Sequence, residues 1–179
     1  MINISRIKLF IEAAASITVS VEEVTNERYI YSKGFFMIYT QKTKQAIKLC
    51  YQAHDGQLDK SGLPYVTHPL HVAEQMSDEA TTIVALLHDV MEDTAYTASD
   101  LREAGFDQEI IDALLLLTHD LPISYMDYIR KLSTNPLARK VKIADLKHNS
   151  DLTRLNSVTT EDLKRLEKYK KALHILESF

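Results

Sequence analysis

From Thr40 to the end of this 179-residue chain, apolar residues return every three or four positions, and the whole sequence holds only four glycines and four prolines to interrupt them. That interval is one helical turn, whereas a half-buried strand would alternate every second residue. Ala46, Ile47, Cys50 and Ala53 mark a first helix, which ends near Asp55 and Gly56. Gln57 to Thr67 reads as a loop, punctuated by Gly62 and Pro64. His68 and Pro69 then open a second helix through Met76, with proline in the first turn, where its missing N–H costs little. A third helix is expected from Thr81 or Thr82 to about Asp93, a fourth capped around Thr97 to Asp100, and a fifth from Asp107 or Gln108 to Thr118. Ser124 to Leu132 and Pro136 to Leu155 give two more, and Thr160-Glu161-Asp162 caps a last one through Leu176. No strand is expected after residue 37, so the predicted fold class is all-α, a helical bundle.

Residues 1–36 differ from the rest. Ile17, Val19 and Val21 alternate with polar residues, and Tyr29, Ile30 and Tyr31 follow a turn signal at Thr25-Asn26. They are read as an N-terminal extension, a short extended arm or hairpin, ahead of a single domain over 37–179. The 45% hydrophobic and 26% charged residues fit one ordinary globular core.

A net charge of −4 provides no basic field to gather nucleic acid, so none is expected as a partner; a phosphate-bearing ligand must be held by local cations or a metal. Cys50 is the only cysteine, which excludes an internal disulfide and a thiolate zinc site and makes a cytoplasmic location the default. Arg6 and Lys8 before Leu9, Phe10 and Ile11 imitate the start of a secretory signal, but Glu12 interrupts the run. No stretch reaches the ~20 apolar residues of a membrane span, so neither export nor insertion is expected.

On the third helix, Ile83, Val84, Leu86, Leu87, Val90 and Met91 form a broad apolar face, and His88, Asp89, Glu92 and Asp93 share the remaining arc. Alone, such an arc is more often a solvated acidic face. The helix from Pro136 puts Asp145 on the side of Val141, Leu152 and Leu155, with Asn149 one turn further along. A carboxylate aimed at a core needs a partner, either an arginine or backbone donors, or else a metal. Lys147 and Arg154 point elsewhere by the same count. His68 stands at a loop-to-helix junction, from which a side chain can project into a cleft. Two imidazoles and at least two carboxylates in a chain with a single cysteine suit octahedral Mn²⁺ or Fe²⁺, with zinc and Mg²⁺ left open. His71, one turn after His68, and Tyr125 and Tyr128, at helical spacing, can line a cleft or belong to surface and core.

The segments HDGQLDKSGLPYVTHPLHVAEQM, TIVALLHDVMEDT and VKIADLKHNSDLTRL together resemble the hydrolase domain of the RelA/SpoT alarmone enzymes, above all the small stand-alone (p)ppGpp hydrolases. The resemblance covers roughly residues 40–176 and implies an HD-domain helical bundle. It implies that His68, His88, Asp89 and Asp145 ligate a metal, usually manganese. It assigns catalysis to the acidic pair Glu92 and Asp93, and substrate contacts to Lys60, Ser61 and Asn149. The reaction implied is release of pyrophosphate from the 3'-diphosphate of guanosine tetra- or pentaphosphate, a small nucleotide partner.

Two positions depart from the family pattern. Many members carry a basic pair before Ser-Gly whose arginine packs on the guanine, where this chain has Asp59 followed by Lys60. A carboxylate cannot make that cation–π contact. The motif Ala-Asp is commonly followed by arginine, where Leu146 and Lys147 stand here. Another nucleotide or phosphate ester is therefore the competing substrate, and a non-catalytic nucleotide-sensing module the competing class. With no second domain after the helical one, the synthetase activity of the long RelA/SpoT enzymes is not expected. The oligomeric state is left open.

Overall fold

The computed structural model describes residues 37–119 and 122–179, and every regular element among them is helical. The arm or hairpin expected within 1–36 lies outside the described residues. In chain order the elements are α1 (Gln41–Ala53), α2 (Thr67–Ala73), α3 (Glu79–Leu87), α4 (Val90–Asp93), α5 (Ala98–Glu103), α6 (Gln108–Leu117), α7 (Tyr125–Ser133), α8 (Pro136–Asn149), a 3₁₀ turn (Leu152–Arg154) and α9 (Thr160–Glu177).

Local chemistry sets most of the helix starts. Thr40 and Thr43 form a reciprocal capping box at α1, as do Thr97 with Asp100 at α5 and Thr159 with Asp162 at α9. Asp78, Ser124 and Asn135 each accept a backbone N–H at the start of α3, α7 and α8, and Pro136 occupies the first turn of α8.

The helix expected to run unbroken to Asp93 stops at Leu87. Asp89 sits at φ −99°, ψ −5°, away from helical values, and the His88 ring Nδ1 turns back onto the carbonyl of Ala85 at 2.7 Å. The chain re-enters a helix only for the single turn of α4. The break explains a second difference. From Thr81 to Leu87 every residue of α3 is buried, so this helix is apolar all round and central, and the polar groups are gathered beyond its end.

The helix expected to reach Leu155 ends at Asn149. Asp151 takes an extended conformation, and its carboxylate accepts from the N–H and hydroxyl of Thr153, which starts the separate 3₁₀ turn. Leu152 and Leu155 therefore do not extend the face that carries Asp145.

Two apolar clusters fill the interior. The larger includes Leu49, Val72, Leu86, Leu87, Ile111 and Val141; the smaller joins Tyr128, Ile129, Leu132, Leu146, Ala172 and Leu176. Helix α8 contributes Val141 to the first and Leu146 to the second, and Asp145 lies between these positions, 3% exposed. Among the described residues no helix is long and apolar enough to cross a membrane.

Candidate metal centre

Three separated stretches deliver the polar cluster. His68 comes from the first turn of α2, His88 and Asp89 from the break after α3, and Asp145 from the middle of α8. The Nε2 atoms of His68 and His88 lie 3.2 Å apart. Asp145 Oδ1 is 3.2 Å from the first and 3.8 Å from the second. Asp89 Oδ2 is 3.6 Å from His68 Nε2 and 3.1 Å from His88 Nε2. His68, His88 and Asp145 form a group whose ligand atoms all lie within 4.8 Å of one another. Ligand atoms each about 2.1 Å from a shared octahedral cation stand about 3 Å apart, so this nitrogen and oxygen set fits a divalent ion.

The ring orientations fit as well. With the His88 Nδ1–H donating to the Ala85 carbonyl, Nε2 is the nitrogen turned to the cluster. His68 turns Nε2 inward and presents Nδ1 to His148 Nδ1 at 2.6 Å. Charge in the cluster is high. Burial opposes a charged His88 imidazole, but Asp89 and Asp145 together hold it up at about 10. Asp89 and Asp145 are themselves held well below the ordinary carboxylate range despite their burial, Asp89 by His88 and Asp145 first by Lys142.

Further residues support the cluster. The Tyr65 hydroxyl donates to Asp89 Oδ2 at 2.5 Å. The Lys142 ammonium lies 2.8 Å from Asp145 Oδ2, so the buried carboxylate does have a cationic partner, three residues back on its own helix. That spacing was available in the sequence. His148 meets His68, and burial pushes its imidazole down to about 3. Tyr65 and His148 have no such local signature, because their contacts with Asp89 and His68 join distant segments.

The other expected residues surround the cluster. The Asn149 amide donates to Asp145 Oδ1 at 2.5 Å. Lys60 and Ser61 lie on the loop before α2, where Lys60 is 3.6 Å from Asp162 and the Ser61 hydroxyl donates to the Arg154 carbonyl at 2.5 Å. A cavity of about 240 Å³ is lined by Lys60, Ser61, Tyr65, His68, Asn149 and Arg165, among others, and so reaches the cluster at His68. Glu92 and Asp93 are exposed on α4 and stand outside the group formed by His68, His88 and Asp145. A Glu92 oxygen accepts from the His119 N–H at 3.2 Å, and burial together with the charge of Asp89 shifts the Asp93 carboxyl upward.

Asp59 has a local task. Its Oδ1 accepts from the N–H groups of Ser61, at 2.8 Å, and Leu63, at 3.0 Å, closing the loop, and its Oδ2 faces the Arg154 guanidinium at 3.6 Å. Arg154 is thereby brought to the wall of the same cavity.

The family profile described as "HD domain" matches residues 46–173. Among curated proteins, a "Probable GTP pyrophosphokinase" of Mycobacterium leprae is 36% identical over 118 residues, 59% of this chain and 15% of the relative. A "GTP pyrophosphokinase" of Streptomyces coelicolor is 32% identical over 156 residues, 78% of this chain and 17% of the relative. The "Bifunctional (p)ppGpp synthase/hydrolase SpoT" of Escherichia coli is 43% identical over 67 residues, 35% of this chain and 10% of the relative. The chain thus spans less than a fifth of these relatives. A solved structure described as "A metazoan ortholog of SpoT hydrolyzes ppGpp and plays a role in starvation responses" superposes with a TM-score of 0.63 at 24% identity, covering 77% of this chain and 86% of that one, and shows the same fold. With the profile match running across most of its length, the chain belongs to the HD-domain family.

Proposed function

We propose that the chain is a metal-dependent phosphohydrolase that removes pyrophosphate from the 3'-diphosphate of guanosine tetra- or pentaphosphate. The observation that carries this reading is the meeting of two imidazole Nε2 atoms with Asp145 Oδ1 and Asp89 Oδ2 at 3.1 to 3.8 Å beside an open cavity. The printed names of the relatives and of the structural neighbour support the substrate class.

In this reading His68, His88, Asp89 and Asp145 hold the ion, taken to be Mn²⁺ because mixed imidazole and carboxylate ligation without thiolates suits it. When bound, such an ion supplies Lewis acidity, polarising phosphoryl oxygens and lowering the pKa of water. The chain supplies the rest. Glu92, on the turn that follows His88, orients or moves protons at the reacting phosphate. Asp93, with its carboxyl shifted upward, is suited to share a proton with a leaving oxygen. Lys60 and Arg165 on the 240 Å³ cavity offset the charge of the diphosphates, and Ser61 and Asn149 orient the nucleotide. Substrate and metal of this kind accord with a cytoplasmic protein.

The test is the purified chain with Mn²⁺ and a panel of nucleotides, read by pyrophosphate release. Turnover of ppGpp ahead of the panel is expected. Turnover of another nucleotide alone would favour the second reading, a phosphohydrolase of a different ester, which the carboxylate at Asp59 supports. Tight nucleotide binding with no turnover under any condition would favour a sensing module and overturn both.

A further inference from the structure

The two imidazoles of the cluster have their outer nitrogens secured in different ways. His88 Nδ1 meets a backbone carbonyl, that of Ala85, at 2.7 Å. His68 Nδ1 meets another side chain, His148 Nδ1, at 2.6 Å. The His68 and His148 rings are nearly parallel, 7° apart with centroids 4.9 Å from each other. Together with so short an N–N separation, this means that they meet edge to edge through a hydrogen bond and not face to face.

His148 is itself held in place. His71, one turn along α2 from His68, stacks on its face at 4.1 Å between centroids and 21° between planes. The Arg154 guanidinium donates to the His148 carbonyl at 3.1 Å. His148 follows Asp145 by three residues on α8, so one helix presents both a member of the cluster and the support of another.

We propose that His148 is a positioning residue for the metal centre: it accepts the Nδ1–H of His68 and so keeps the Nε2 lone pair of His68 aimed at the shared cation. The assignment rests on the metal reading above. Two facing imidazole nitrogens can share only one proton between them. If His68 ligates through Nε2, its proton is on Nδ1, and His148 must accept through Nδ1 and carry its own proton on Nε2. Acceptors of this kind orient a ligating histidine and raise its basicity, and their loss typically weakens metal binding about 10- to 100-fold.

The test compares Co²⁺ binding by the full chain, followed by calorimetry and by the visible absorption of the bound ion, in wild type, His148→Phe and His148→Asn. Phenylalanine keeps a ring for His71 to stack on but offers no acceptor. The Asn amide oxygen restores an acceptor near the position of Nδ1. The expected result is a loss of about 10- to 100-fold in Co²⁺ affinity for His148→Phe, with recovery to within a few-fold of wild type for His148→Asn. Wild-type affinity in His148→Phe, or equal weakness in both variants, would overturn the proposal while leaving the metal reading intact. Absence of Co²⁺ binding by the wild type would overturn both. Independently of any variant, long-range ¹H–¹⁵N spectra of the Zn²⁺-loaded chain are expected to show His68 protonated on Nδ1 and His148 on Nε2. The reverse pattern would also overturn the proposal.

Discussion

Asp145 divides its oxygens between two tasks: Oδ2 meets the Lys142 ammonium at 2.8 Å, and Oδ1 faces both imidazoles and the amide of Asn149. Removing this carboxylate has two consequences. Asp145→Ala is expected to abolish metal binding and also to leave Lys142 without its buried partner, a change that costs about 3–5 kcal/mol when a buried pair is broken. Calorimetric metal titration and thermal unfolding read the two effects separately. His88→Ala is expected to remove metal binding without that stranded charge. Glu92→Gln is expected to retain the metal and lower turnover about 10²-fold or more, as loss of an acid–base group does; unchanged turnover would remove Glu92 from the mechanism. At this scale the sequence was informative where chemistry is concentrated, since His68, His88, Asp89 and Asp145 are unusual groups to find near apolar helix faces. Lys142 was overlooked because the partners considered were arginine and backbone donors, although it lies three residues away on the same helix. Tyr65 was not legible, because its contact with Asp89 spans 24 residues and depends on how the loop before α2 closes.

Among the elements, periodicity found the helical segments, with α3 and α4 read as one, and overran α2, which ends at Ala73 and not Met76; it misjudged two other ends more seriously. Both errors have the same origin: a side chain turning to a backbone group. His88 turns onto Ala85 after α3, and Asp151 caps Thr153 after α8. Hydrophobic spacing continues across such breaks and cannot reveal them. Cap chemistry supplies a prediction at this scale. Asp78 accepts the Thr81 N–H at 2.8 Å and faces Lys140 at 2.9 Å, so Asp78→Ala is expected to destabilise the chain by about 1 kcal/mol, measured by urea unfolding. The loop of Asp59 gives another. Asp59→Asn retains an acceptor for the Ser61 and Leu63 N–H groups but loses the charge opposite Arg154, whereas Asp59→Arg loses both. Restored guanine affinity in Asp59→Arg is therefore expected only if the loop survives, and comparison of its proteolytic stability with that of Asp59→Asn tests this.

For the molecule as a whole, acid sensitivity follows from its caps. Hydrogen bonds to Thr97, to Thr153 and to Thr159 hold Asp100, Asp151 and Asp162 below the usual carboxylate value of 3.8. Because their pKa values are lower when folded, the unfolded chain takes up protons first as pH falls. The stability they provide is present above about pH 4 and is lost as pH drops through the lowered folded values. Urea midpoints measured at pH 7 and pH 3 are expected to fall accordingly, and an unchanged midpoint would contradict this. A divalent ion at 100 times its dissociation constant is expected to add about 2.7 kcal/mol, seen as a rise in Tm that a chelator reverses.

The Lys142 ammonium has one more consequence, which concerns the order of assembly. Many small zinc domains do not fold before loading, because their site does not exist in the unfolded chain and binding supplies the folding energy. Here a resident positive group already balances the deepest carboxylate from within the same helix. The proposed ion is therefore expected to be acquired by a chain already folded, and a cooperative unfolding transition in chelator would show it.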